Sequence, residues 1–229
     1  MRELTFYFDY VSNNAYLAWT QLSKLMEEHQ INFKPVPVLF AGLLNSHGNV
    51  GPAELPAKRN WMLQNIMRKC ALLNVPMNPP LHHPFDPLLA LRAASVSMSD
   101  TQRWQLIDKI FEAVWVRQLH VSEPEVVAQL AREAGLDGDA IVASAQQSEA
   151  KLALREQTET AIAEGVFGIP SMVWQRQLFF GYDDFEFLSM ALKGEDPLDM
   201  EEVARWSMDS MNASSHRRSH RDKLQKGSS

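Results

Sequence analysis

At 229 residues, 45% of them hydrophobic, the chain can bury a sizeable core, in one domain or in a domain carrying a large insertion. Net charge is −6, and residues 216–229 hold Arg217, Arg218, Arg221, Lys223 and Lys226 against Asp222, so the preceding chain is strongly acidic; that excludes a general nucleic-acid binder. The single cysteine, Cys70, excludes an intrachain disulfide, no apolar run approaches the roughly 18 residues of a spanning helix, and residues 1–6 lack signal-peptide architecture, so the expectation is a cytoplasmic protein without a membrane partner.

Residues 4–9 are aromatic and apolar at nearly every position, which suits a strand buried on both faces. Ser12, Asn13 and Asn14 are all N-cap residues. Ala15, Ala18, Leu22, Leu25 and Met26 follow at helical spacing, predicting a helix from 13 or 14 to 29. Residues 31–38 read as a second strand, and Pro35 and Pro37 put it at an edge or make it a strand end. This β-α-β opening predicts parallel strands with a right-handed crossover.

Gly42, Gly48 and Gly51 mark 39–53 as a loop, and 55–74 reads as a helix. The proline-rich run 75–87 cannot be regular, and its last pair, Asp86-Pro87, opens a helix. The run 100–118 is amphipathic. Ser122-Glu123-Pro124-Glu125 is a capping-box pattern before a helix that Gly135 stops. Helices are predicted at 139–147 and 149–164.

Gly165 ends the last of these. Gly168, Ile169 and Pro170 lead into an apolar run at 171–174, then a second short strand at 177–180 and a closing helix at 184–192. Gln175-Arg176 is the candidate hairpin turn. Proline lacks an N–H and fixes φ, so Ile169-Pro170 is either an ordinary loop into a strand or a deliberate turn, a cis bond included. Across the helical middle the ends join as β-α-β…α-β-β-α. That is an α/β thioredoxin-like fold with a large inserted all-helical domain. The expected limits are 1–38 with 156–200 for the thioredoxin-like domain, 39–155 for the insertion, and 212–229 for a disordered basic tail. In this layout Pro170 falls at the cis-proline position, and Ser12 falls where the fold carries its cysteine pair.

Phe6-Tyr7-Phe8-Asp9-Tyr10-Val11-Ser12, Gly48-Asn49-Val50-Gly51-Pro52, Val166-Phe167-Gly168-Ile169-Pro170 and Phe180-Gly181-Tyr182-Asp183-Asp184 resemble the 2-hydroxychromene-2-carboxylate isomerase family. That family is related to the kappa-class glutathione transferases and is DsbA-like in fold; the resemblance covers residues 3–195. It implies a glutathione cofactor whose thiolate adds reversibly to a conjugated alkene. The implied substrate is a small molecule, an aromatic 2-oxo acid or chromene carboxylate, in aromatic compound degradation. A homodimer is also compatible with it. The alternatives are a kappa-like transferase or peroxidase with the same cofactor, and a non-catalytic thioredoxin-like binding module.

The resemblance assigns Ser12 the catalytic role of holding and activating the glutathione sulfur; from its own segment alone Ser12 reads as a plain N-cap, and the downstream Ile169-Pro170 favours the catalytic role. It assigns Asn49 and Lys58 to cofactor binding, with Lys58 on the glycyl carboxylate, although Lys58 also reads as a solvated helix charge. It gives the Ile169 backbone a pairing with the cysteinyl part of glutathione and Pro170 a site-shaping role. Asp183 and Asp184 meet the γ-glutamyl end, or simply stabilise a helix start. Asn13 stands where the family usually has proline. Tyr182 stands for its asparagine or serine, and Asp184 for its arginine. His82 and His83 have no third ligand at suitable spacing, so no metal site is expected; their loop reads as a lip over the substrate cleft. Cys70 reads as core packing.

Overall fold

The structure, a computed structural model, describes residues 3–207; the expected tail at 212–229 lies outside the described residues. β1 (Glu3–Phe8), β2 (Asn32–Pro37), β3 (Ser171–Trp174) and β4 (Gln177–Phe180) form one mixed sheet in the order β2-β1-β3-β4. β1 and β2 are parallel, joined through α1 (Asn13–His29). β3 is antiparallel to β1, and β4 to β3. β2 is an edge strand, where Pro35 and Pro37 cost the ladder least. The β3–β4 hairpin turns on Gln175 and Arg176, both at positive φ (49° and 71°), as a two-residue hairpin turn of the primed type requires.

Between β2 and β3 lie α2 (Phe40–His47), α3 (Pro56–Leu73), α4 (Leu88–Ser95), α5 (Asp100–Trp115), α6 (Pro124–Glu133), α7 (Gly138–Ala145) and α8 (Ser148–Ala163). After the sheet come a 3-10 turn at Tyr182–Asp184, α9 (Phe185–Lys193) and α10 (Met200–Ser207). Three local expectations change. Residues 39–53 are not a loop: α2 fills the first half, and a 3-10 turn at Pro52–Glu54 precedes α3. The capping box at Ser122 does not form, because the helix starts one residue later than that pattern requires: Glu123 is the N-cap, without a side-chain bond, and Pro124 takes the first helical position, where its missing N–H costs nothing. α10 had no counterpart in the sequence reading.

Alternation along β1 sends Leu4, Phe6 and Phe8 to one face and Tyr7 to the other. The first face meets Trp19 of α1 and Phe111 of α5; the Phe8 and Phe111 ring centres are 5.5 Å apart. Sheet, α1 and the helices α4–α7 thus share one hydrophobic core. The opposite face is smaller: Tyr7 and Val36 pack with Leu43 of α2, Ala161 of α8, and Val166 and Ile169. Among the described residues no helix is long and apolar enough to cross a membrane.

Candidate functional site

The chain leaves β1 at Phe8, turns through Asp9–Val11, and starts α1 at Ser12. Ser12 is the N-cap, with extended backbone (φ −95°, ψ 115°), and its hydroxyl accepts from the Ala15 N–H at 3.1 Å. No acidic residue occupies the first turn of α1, so the positive end of the helix dipole stays uncompensated there. The turn ahead of Ser12 is fixed from several sides. Trp115 Nε1 donates to the Tyr10 carbonyl at 3.0 Å. His83 Nε2 bonds the Val11 carbonyl at 2.9 Å; a carbonyl only accepts, so this nitrogen carries the proton. The Asp9 carboxylate accepts from the Val11 N–H at 3.2 Å and the Phe40 N–H at 2.9 Å. Burial pushes the Asp9 carboxyl up to about 7, with Asp86 adding repulsion, although these backbone donors pull the other way.

The second wall comes from the other end of the chain. Tyr7 pairs with Ser171 in antiparallel register, so Pro170 and Ile169 run on past the same sheet end from which Ser12 departs. The Ile169–Pro170 peptide bond is cis. The Ser171 hydroxyl donates to the Gly168 carbonyl at 2.8 Å, and the Gly181 N–H to the Pro170 carbonyl at 2.9 Å. Among the described residues, nothing hydrogen-bonds the Ile169 N–H or C=O. Gly168 lets the Phe180 ring lie close to the backbone: a Cβ there would meet that ring at 2.8 Å and make it shift. His47 Nε2 donates to the Val166 carbonyl at 3.0 Å, and Tyr7 donates its hydroxyl to Glu164 at 2.7 Å, both bracing the approach to this loop. Burial and the Glu164 carboxylate raise the Tyr7 phenol above its ordinary range.

The expected residues fall unevenly around these walls. Asp184 accepts from the Phe180 N–H at 2.7 Å and so closes its own turn. Asp183 is exposed and pairs with Lys69 of α3 at 2.7 Å; the Lys69 ammonium also lies 5.9 Å from the Tyr182 ring centre. Asn49 and Lys58 are on the surface of the α2–α3 segment, and Asn49 uses its side-chain oxygen on the Val50 N–H. Cys70 is half-buried with Sγ 3.9 Å from the Met77 sulfur, and desolvation raises its thiol, which suits packing and not nucleophilic work. His82 stands against His120, ring centres 5.6 Å apart.

Sequence reasoning missed Asp9, His47 and Lys69. An acid inside an otherwise apolar strand end was a usable signal for Asp9. Lys69 and Asp183 are 114 residues apart, and nothing local announces such a pair.

Comparison with known proteins agrees with this layout. The chain is 27% identical over 191 residues to a 2-hydroxychromene-2-carboxylate isomerase of Pseudomonas sp. (strain C18), covering 82% of this chain and 89% of that protein. It is 26% identical over 205 residues to glutathione S-transferase kappa 1 of Rattus norvegicus, covering 83% and 91%. A solved structure of 2-hydroxychromene-2-carboxylate isomerase shares its fold at a TM-score of 0.78 and 24% identity, over 90% of this chain and 100% of that one. Residues 3–193, which include both walls of the site and the whole helical middle, match the DSBA-like thioredoxin domain, and the chain belongs to that family.

Proposed function

We propose that this protein is a glutathione-dependent isomerase acting on an aromatic 2-oxo acid or chromene carboxylate in aromatic compound degradation. The observation that carries this reading is the convergence of the Ser12 N-cap hydroxyl and the unbonded Ile169 backbone at one end of the sheet. Buried backbone groups are almost always paired, so a free N–H and C=O beside a helix N-terminus suit a peptide-like ligand.

When bound, glutathione supplies a thiolate for reversible addition to a conjugated double bond. The Ser12 hydroxyl accepts from Ala15 and still has its own proton to donate to sulfur. That bond and the N-terminus of α1 both favour the thiolate. The Ile169 backbone aligns the cysteinyl unit. Asp183 keeps acceptor capacity beside Lys69 for the γ-glutamyl ammonium. Lys58 and Lys69 stand about 16 Å apart along α3, and an extended tripeptide spans about 10 Å. With the reach of its own side chain, Lys58 then suits the glycyl carboxylate. His83 and Trp115, which both bond the turn before Ser12, form the side for the second substrate.

A kappa-like transferase uses the same cofactor site, and the similarity to a protein named glutathione S-transferase kappa 1 favours it as the second reading. Calorimetric titration separates both from a plain binding module that takes no glutathione. Binding in the millimolar range or tighter is expected, and its absence would overturn both enzymatic readings. A screen of aromatic 2-oxo acids and electrophiles, with and without glutathione, then separates isomerase from transferase. Ser12→Ala is expected to lower turnover at least tenfold; unchanged turnover would remove Ser12 from the chemistry.

A further inference from the structure

One buried ionisable group beside the site has no part in the chemistry above. Asp9 is 1% exposed and ion-pairs with no cation among the described residues. A carboxyl in such a place is costly unless its oxygens are used. They are used on two segments: one oxygen takes the N–H of Val11, the residue before Ser12, and the other takes the N–H of Phe40, the first residue of α2. Helix starts leave orphan N–H groups. The N-cap of α2 is Leu39, which offers no side-chain acceptor, so Asp9 supplies the cap from 31 residues away.

α2 is tied at two further points. The Leu39 N–H donates to Thr158 of α8 at 3.0 Å. At the far end of the helix, His47 holds the Val166 carbonyl, on the segment that leads to Ile169. One short helix therefore bridges the two walls of the cleft, and Asp9 is its anchor on the Ser12 side.

We propose that Asp9 is the positioning residue of the thiol site, setting the Ser12 hydroxyl opposite the Ile169 backbone through the Val11 turn and α2. The proposal rests on Ser12 being the residue that meets the thiol. Two variants test it. Asp9→Leu loses both acceptors and places a larger apolar side chain there; Asp9→Asn keeps the size and one oxygen.

The first measurement is amide hydrogen exchange without ligand, at Ala15, whose N–H is held by the Ser12 hydroxyl, and at Phe40. Protection at both should fall about three- to tenfold in Asp9→Leu, the equivalent of a lost hydrogen bond, and less in Asp9→Asn. The control is Ile141→Ala on α7, compared at equal distance from its melting temperature; it should leave Ala15 alone. Unchanged protection at Ala15, or a loss no larger than in the control, overturns the proposal. The second measurement is the pKa of the bound glutathione thiol, read from thiolate absorbance. It should rise in Asp9→Leu and show no further rise in Ser12→Ala/Asp9→Leu beyond Ser12→Ala alone. An equal rise in both backgrounds means Asp9 acts on the thiol directly, and the positioning role falls. If the wild-type protein binds no glutathione while Ala15 protection still depends on Asp9, the positioning role stands and the glutathione reading falls. If Asp9→Leu does not fold, Asp9→Asn carries the same comparisons with smaller changes.

Discussion

Asp9 and Ser12 sit three residues apart and answer to different forces. Burial raises the folded-state pKa of Asp9 from 3.8 to about 7, so the native state holds that proton more tightly than the unfolded chain does. Stability from this group is therefore full below pH ~4, drains away between pH ~4 and ~7, and is flat above. Asp9→Asn cannot titrate. Denaturant unfolding of both proteins across this range should show the wild type losing ground to Asp9→Asn as pH rises; a constant difference, or a gain, would contradict the burial argument. The cap role of Ser12 and the thiol role proposed for it can be separated by substitution. Losing an N-cap to alanine costs about 1 kcal/mol, whereas glycine costs only a few tenths. Ser12→Gly should thus recover most of the thermal stability that Ser12→Ala loses, yet recover none of the turnover. Recovery of both would make Ser12 a cap and nothing more.

Among the elements, α2 shows where sequence patterns stop being informative. It has eight residues, one buried side chain (Leu43), two glycines close by and an N-cap without a side-chain acceptor. Its stability comes from Asp9, Thr158 and His47 contacts that local periodicity cannot register. The strands were legible for the opposite reason. The β3–β4 hairpin has short apolar runs on both sides of Gln175-Arg176, and β1 has three aromatics in a row, so packing and pattern agree. The site was legible in the same partial way. Ser12 and Pro170 are locally only an N-cap and a strand-entry proline, and the fold layout and the family resemblance make them candidates, while Lys69 becomes visible only once α3 lies beside Asp183. The α6–α7 contact is tight enough to test directly. A Cβ on Gly138 would collide with the Ala128 carbonyl, which is backbone and cannot swing away. Gly138→Ala should lose about 1–3 kcal/mol in denaturant unfolding despite alanine's better helix propensity; a neutral result would mean that α6 and α7 slide apart freely.

On the scale of the whole molecule, the helical insertion and the sheet are not held by separate cores. Trp19 of α1 and Trp104 of α5 have ring centres 4.2 Å apart, and Phe111 reaches the rings of Phe8, Tyr10, Tyr16 and Trp19. Unfolding followed by far-ultraviolet circular dichroism and by tryptophan fluorescence should therefore give coincident transitions. Two resolved steps would mean an insertion that folds on its own. Phe111→Ala should cost about 3–5 kcal/mol, a large share of a typical domain's stability.

The strand order also sets a timetable. β1 is the first strand synthesised and lies inside the sheet, yet its neighbour β3 begins only at Ser171. At about 5–20 residues per second, a ribosome needs on the order of ten to thirty seconds to deliver that partner. Throughout that interval one long edge of β1, with Phe6 and Phe8 beside it, stays open to whatever else is nearby. The β1–β3 pairing, and with it the juxtaposition of Ser12 and Ile169, is therefore a late event in the synthesis of this chain.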